Sequence, residues 1–538
     1  MKRVKCWLSI PLVLMLLASI GVVSAETQPT GSKPKRVDQV TIAIQAAPDT
    51  LNPYNVSGAY GDPINDCIYE KFFDYTYKGE IIPRLCTSYK WTMDDKGHMI
   101  ITFYMAKNAT WHDGEPLTAH DVVFTAQTIT NPQVVTTRRY YWSSLVGTDD
   151  SGVCKDVSAL GIAAVDDYTV QYTLKGPRAL DAYFLIDMRF QYILPEHLLK
   201  NIDPSQLHKA AYFQHPVGAG PLKFDSMIAG KRYELVCNRN YYRGLPNMDR
   251  LNIVVMDPAN YAAALASGQI DANTFLSALQ VDDWDYVCSL KNIKTKSVTS
   301  YTYQWMNINH SRKYLHDARV RQAISFAINR QAIVDQLLGG QGHYAVSSIP
   351  PSSRYFNPAY AKDPYDPKTA RALLKEAGWD FNRVLDFVVP IGNKVRENSA
   401  VLIQQDLAAV GIQTKIRMVD FTTAIVELRE GKFDLGLLGG SGPDPDDVRL
   451  NFLVNGPNNF SHLDTMEFYN VLDKARSALT FEERRKLYFQ WQAMCYKLTP
   501  IVWLYHPNIL FAYSNKFDNY PCEDSLASNI RVMEWTFK

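Results

Sequence analysis

Between Thr102 and Phe124 the chain reads TFYMAKNATWHDGEPLTAHDVVF, and this short window holds a strand, a glycine turn and a capped helix start. Thr102 to Met105 are bulky β-formers, and Asp113-Gly114 is a turn dipeptide. Thr118, with Asp121 three residues later, stands before apolar Val122, Val123 and Phe124 in the pattern of a capping box. Strand, loop and helix in that order point to a mixed α/β architecture. His112 and Asp113 are adjacent in the turn, so they do not converge on one metal or substrate, and turn and cap chemistry accounts for both.

The same alternation of periods runs along the rest of the chain. Val40 to Ile44 is a short β run leading to Leu51-Asn52-Pro53-Tyr54, and Ile64 to Tyr75 is expected to be a helix ending in aromatics. Tyr89 to Met93 and His98 to Met105 flank the polar turn Asp94 to Gly97 as a hairpin, and Tyr168 to Leu174 alternates like a half-buried strand. Pro216 to Phe224 is a glycine-proline turn into a strand. It is no phosphate cradle, because Pro221 removes a donor and no Lys-Ser/Thr pair follows.

Later, Tyr261 to Ile270 is a small-residue helix ended by Gly268. Asp317 caps a helix expected to run to Arg330, with Arg319, Arg321 and Arg330 on its solvated or ion-paired face. Another helix begins at Asp366-Pro367 and stops at Gly378. Ala400 to Val410 is a helix followed by a strand from Gly411 to Ile416. Phe433 to Leu438 is a buried strand opening into a loop from Gly439 to Asp446, a natural ligand mouth.

At 538 residues, with 46% hydrophobic and 21% charged, the chain can bury large cores in about three domains. Lys2, Arg3 and Lys5 precede an apolar run from Trp7 to Val23, and Val23-Ser24-Ala25 suits signal peptidase I, so residues 1–25 are expected to be a signal peptide. Cys6 precedes the apolar run, so there is no lipobox. Without that segment 53 basic residues face 55 acidic ones. This balance argues against nucleic acid or an anionic membrane as the main partner. Residues 26–39 are expected to be a flexible leader, with order from Val40. Seven cysteines remain, at 67, 86, 154, 237, 288, 495 and 522, without CxxC or zinc spacing, and the odd number leaves the pairing open.

WHDGEPLTAHDVVF, DARVRQAISFAINR, DPKTARALLKEAGW and the helix-Gly-x-Ile-Asp element ending at Asp271 stand in an order that resembles family 5 of the extracytoplasmic solute-binding proteins. This is the oligopeptide-binding type that serves ABC importers. The resemblance implies an α/β, two-lobed, periplasmic-binding-protein-like fold of type II, hinged, with a subdomain inserted in the first lobe. Lobe I is expected to comprise 40–85, 215–298 and 506–538, the subdomain 86–214, and lobe II 299–505. The chain is expected to cross between lobes near Val298 to Asn309 and Pro500 to Tyr505.

The function implied is capture of an oligopeptide and its delivery to permease subunits by an exported, periplasmic, monomeric protein without a cofactor. Relatives of this fold also carry oligosaccharides, opines, nickel complexes or haem. A secreted hydrolase is the rival class, but Gly440-Ser441-Gly442 lacks full GxSxG spacing, HExxH is absent, and pairs such as Asp446-Asp447 point their carboxylates apart.

Ligand contacts are expected from aromatics and from the Gly439 to Asp446 loop. Trp305, beside Tyr301 and Tyr303, can offer a flat apolar face, as can Trp142 beside Tyr140 and Tyr141, and Tyr54 is a further candidate. The resemblance implies an aspartate for the peptide's amino group, and register on Asp444-Pro445 puts Ser441 at that place, flanked by Gly440 and Asp444. For a carboxylate, Lys394 and Arg396 are expected in a loop before the Ala400 helix, where an arginine can clamp it with two hydrogen bonds.

Overall fold

The structure is a computed structural model and describes residues 35–56, 59–76, 80–442, 444–456, 458–522 and 530–538. The expected signal peptide and most of the leader lie outside the described residues. Order begins earlier than the composition suggests. Strand β1 (Val37–Ile44) pairs in parallel from Val37↔Met248 onward, so the last three leader positions are built into a sheet.

Asp62–Ile68 is helical, but the helix stops there instead of at Tyr75. Tyr69 is extended, and Phe73–Tyr75 forms β2 against β3 (Ile81–Pro83). The aromatics Phe73 and Tyr75 pair on the pleated surface instead of ending a helix. Strands β4 (Cys86–Met93), β5 (Met99–Met105), β6 (Ile162–Asp166) and β7 (Thr169–Leu174) form an antiparallel sheet in the order β4-β5-β7-β6. Gly97 holds the hairpin turn with φ +80°, and Thr118 and Asp121 form the expected capping box on the Ala119–Thr130 helix.

The opening window is stapled to the chain near residue 220. The Gly218 N–H donates to His112 Nδ1 at 3.1 Å, and Nε2 lies 3.0 Å from the Gly220 carbonyl. Burial pushes the His112 imidazole down to about 4, so a neutral ring bridges the two segments. From this turn run β8 (Leu222–Ile228), β9 (Arg232–Cys237) and β10 (Met248–Val255), which complete the sheet β1-β10-β9-β8.

A second sheet carries both lobes. It contains β11 (Ile293–Thr299), β12 (Thr302–Ile308), β13 (Gly342–Tyr344), β14 (Val384–Pro390), β15 (Gln413–Val419), β16 (Leu435–Ser441) and β17 (Ile501–Ser514), along the path β11-β17-β12-β16-β14-β15. Side chains alternate across it. Met306 and Ile308 enter one core with Val320, Ile324, Leu374 and Ile403, while Tyr303 and Trp305 enter another with Phe452, Trp491 and Trp503. Along β17, residues 501–505 belong to these two cores, whereas Ile509 and Phe511 join the core of β1 and β5. The neighbouring Leu510 and Ala512 pack around Leu265.

Three local expectations change. The helix expected from Ala400 starts at Lys394 and is capped by Asn393, so Lys394 and Arg396 lie in its first turn. Gly439, Gly440 and Ser441 are not a loop: they continue β16, paired with Gln304, Tyr303 and Thr302. The Asp317 helix ends at Ala327 and a new one starts at Arg330, capped by Asn329. Arg319 is exposed and ion-paired with Asp317, as expected, whereas Arg321 and Arg330 are buried, donating to carbonyls including those of Leu498, Thr499 and Trp503, with Arg330 also 3.4 Å from Asp363.

A Cβ on Gly218 would lie 1.8 Å from the Ile68 carbonyl oxygen and one on Gly220 2.3 Å from that of Cys67, both backbone atoms that cannot rotate away. Gly218→Ala is therefore expected to cost about 1–3 kcal/mol, read as a lower denaturation midpoint in urea. An unchanged midpoint would contradict this packing.

Candidate functional site

Beyond Ser441 the chain enters a short 3-10 turn, Pro445–Phe452, whose carboxylates are sorted by what lies beneath them. Asp444 is the N-cap and is buried. Its Oδ1 accepts from the Asp446 N–H at 2.9 Å and from Arg484 Nη2 at 2.5 Å. Asp446 is also buried, 3.1 Å from Arg449 and 3.5 Å from Arg476. Asp447 completes the capping box by accepting the Asp444 N–H at 3.3 Å, but its side chain remains exposed.

Exposure and desolvation coincide at Asp447. Surrounding protein removes enough water to push its carboxyl up to about 7, aided by the negative charge of Asp444 and opposed by the Arg189 guanidinium. Tyr140 and Arg189 both feel the Asp447 charge, so the side chain stands within reach of the first lobe across the space between them, termed the chamber below. Gly442 makes room for it, since a Cβ there would lie 1.9 Å from Asp447 Oδ2.

The opposite wall comes from the first lobe and its inserted sheet region. Arg138 donates twice to Asp62, at 2.7 and 2.9 Å, and lies 4.1 Å over the Phe190 ring, which fixes the segment leading into Arg139–Trp142. Tyr140 and Tyr141 follow, their ring centroids 4.1 Å apart, and Tyr140 is 51% exposed. Desolvation raises both phenols, and Asp447 adds to the rise at Tyr140. Arg189 lies 4.7 Å from the centroid of the same Phe190 ring, and its guanidinium is raised by Tyr75, Tyr141 and Asp447 against the effect of burial. The chamber thus holds a carboxylate on one wall and tyrosines and a guanidinium on the other.

Sequence-based candidates divide around this chamber. Tyr54 and Trp142 are core residues, each 1% exposed. The Tyr54 hydroxyl donates to the Tyr192 carbonyl at 2.7 Å, and Trp142 stacks on Tyr172. Neither presents a face to the chamber. Trp305 points into the second lobe's core, with Nε1 donating to Asn307 Oδ1 at 3.1 Å. Asp444 is committed to Arg484, Tyr488 and the turn, so it is not available as a ligand anchor.

Gly440, Ser441 and Arg396 keep places near the end of β16. A Cβ on Gly440 would come within 3.1 Å of Tyr303 and Trp305, and Ser441 is exposed at the strand end. Arg396 lies against Gly439, and its Nε donates to Gln304 Oε1 at 2.9 Å. Desolvation lowers this guanidinium. Sequence reading missed Asp447, although Asp444-Pro445-Asp446-Asp447 already carries the signal: an N-cap, proline at N1 and an acid at N3. Among the described residues no cluster of His, Cys, Asp or Glu could hold a metal, and Cys67, Cys86, Cys154, Cys237, Cys288 and Cys495 are free thiols.

Comparison with known proteins agrees with this architecture. The model for bacterial extracellular solute-binding proteins, family 5, matches residues 80–461. The chain is 27% identical to the oligopeptide-binding protein AppA of Bacillus subtilis, over 97% of each chain. It is 32% identical to a Brucella ovis protein described as an ABC transporter peptide-binding protein, over 74% of this chain and 73% of that one. The solved structure of Bacillus subtilis AppA with a nonapeptide superposes with a TM-score of 0.73 at 24% identity, covering 94% of this chain and all of the other.

The chamber makes a prediction about pH. The Asp447 carboxyl rises from an ordinary 3.8 to about 7 on folding, so the native state binds the extra proton. Its contribution to stability is complete below pH 3.8 and is lost as pH rises through about 7. Asp447→Asn is expected to unfold at a higher temperature than wild type at pH 8, with the gap closing toward pH 5. A gap independent of pH in thermal denaturation would contradict the enclosed setting.

Proposed function

The chain belongs to the bacterial extracellular solute-binding proteins of family 5, and from that membership we propose that it is the solute-binding subunit of an ABC importer, holding an oligopeptide between its lobes by an ammonium group on Asp447. The observation that carries this reading is the carboxylate itself, accessible but desolvated, beside two neighbours already committed to arginines. A peptide ammonium supplies the missing charge and two or three donors, and such charge-assisted bonds are strong where water is scarce. Tyr140 and Tyr141 offer a flat wall to side chains, while the Ser441 hydroxyl can donate to or accept from the peptide backbone and Arg396 can donate to its carboxylate.

Solute touches both walls only when the lobes are together, so binding shifts an open and closed equilibrium toward the closed form. The joints are placed at Ser300-Tyr301, between β11 and β12, and at His506-Pro507, where β17 passes from β12 to β11 with only β13 alongside. Permease subunits would read the closed face. Export as a monomer after cleavage at Ala25 fits this role, and among the described residues no helix is long and apolar enough to cross a membrane.

Calorimetry on the purified protein tests the reading, with free-amine peptides, their N-acetylated forms, oligosaccharides, haem and nickel chelates as ligands. Acetylation is expected to weaken binding about 10–100-fold, as loss of one charged hydrogen-bonding group does. Asp447→Asn should lose a similar factor for the free amine and nothing for the acetylated peptide. Wild-type affinity should fall as pH drops below about 7, where binding must first expel the Asp447 proton. Peptides that bind equally well with or without the amine, or binding confined to a non-peptide ligand, would overturn the assignment.

A further inference from the structure

A nine-residue stretch of the first lobe reaches into the second and leaves two carboxylates there. It runs from Ala179, whose N–H donates to the Arg476 carbonyl at 3.0 Å, through a helical turn at Leu180–Ala182 and a π-helical turn at Tyr183–Asp187. Asp181 Oδ2 accepts from Arg354 Nη2 at 2.5 Å and from the Tyr355 hydroxyl at 2.7 Å, and it lies 3.3 Å from Arg484. Asp187 Oδ1 lies 3.3 Å from Arg476 Nη2. Leu185, between the two acids, packs with Tyr75 and Tyr301 at the joint between lobes.

These arginines also hold the turn that presents Asp447. Arg484 binds Asp444 at 2.5 Å and Arg476 binds Asp446 at 3.5 Å, so each guanidinium is shared between a carboxylate of its own lobe and one from across the cleft. On the first-lobe side, Asp187 is followed two residues later by Arg189, a chamber residue. The cross-lobe acids are therefore joined by short, stiff connections to both chamber walls. A π turn inside such a segment is common at functional positions.

We propose that Asp181 and Asp187 form a closure latch: they complete the shells of Arg354, Arg484 and Arg476 only when the lobes are shut, and so set the spacing between Asp447 and the tyrosine wall. They are positioning residues and do not touch the solute. Opening returns Asp181, Asp187 and Arg354 to water while Arg484 and Arg476 keep their partners in lobe II, so the latch releases without leaving a buried charge stranded. It rests on the reading that the lobes close over a solute.

The test uses Asp181→Asn, Asp187→Asn, the double variant and Asp181→Glu in the full mature chain. Peptide dissociation followed by stopped flow is expected to accelerate on the order of tenfold in the double variant, with association changed less than about twofold, because contacts formed after encounter act on the off-rate. Asp181→Glu should recover part of the slow rate, which a merely structural lesion would not. Small-angle scattering of the ligand-free protein supplies an arm that needs no ligand. The double variant is expected to show a larger radius of gyration than wild type, so a wrong choice of ligand leaves the latch tested. Equal radii together with equal dissociation rates overturn it. So does a crystal structure of an open form in which Asp181 still binds Arg354. That last result is read on the wild-type chain and serves if the variants fail to fold.

Discussion

Strand β17 is the constraint on which the rest of the molecule depends. Its fourteen residues pair with β12 through Ile501 to Tyr505 and with β11 through Asn508 to Ser514, so two lobes with separate cores share one continuous backbone. A shared strand limits how the lobes can move, because hydrogen-bonded ladders on both halves must survive the motion. Bending is left to the break between β11 and β12 and to His506-Pro507 of β17, which pair only with the short β13. Closure is then a repeatable rotation that brings the same side chains together each time.

What those side chains do follows from how charge is partitioned. Four residues, Asp444 to Asp447, present three carboxylates within one turn of 3-10 helix. Two are neutralised from below by Arg484 and by Arg449 with Arg476, and the third is left for the chamber. Burying a carboxylate without a partner is costly, which explains both the paired state of Asp444 and Asp446 and the reluctance of Asp447 to ionise. On the function proposed above, a cationic solute relieves that reluctance and a neutral one does not.

Much of the scaffold was legible because it is written in local signals. The capping box at Thr118, the hairpin turn at Gly97, the caps at Asp317 and Asp366 and the stops at Gly268 and Gly378 depend on neighbours within a few residues. Errors fell where a distant partner decides. Phe73 to Tyr75 leave the helix to pair with Ile81 to Pro83, and Gly439 to Ser441 remain strand because β12 lies alongside. The site was harder still. Aromatic character marked Tyr54, Trp142 and Trp305, but whether an aromatic lines a chamber or fills a core is settled by packing across hundreds of residues. Asp447 was seen only as one of an adjacent acidic pair. Its neighbours point the other way, as adjacent acids should, but the arginines that make the difference come from residues 449, 476 and 484.

The central claim is that closure presents Asp447 to a cationic group of the solute, and a crystal structure of the protein with a bound free-amine peptide tests it most directly. The account predicts the peptide's ammonium within hydrogen-bonding distance of the Asp447 carboxylate, with Asp444 and Asp446 still on their arginines. An ammonium seated at Ser441, or a peptide bound with Asp447 facing only water, would contradict it.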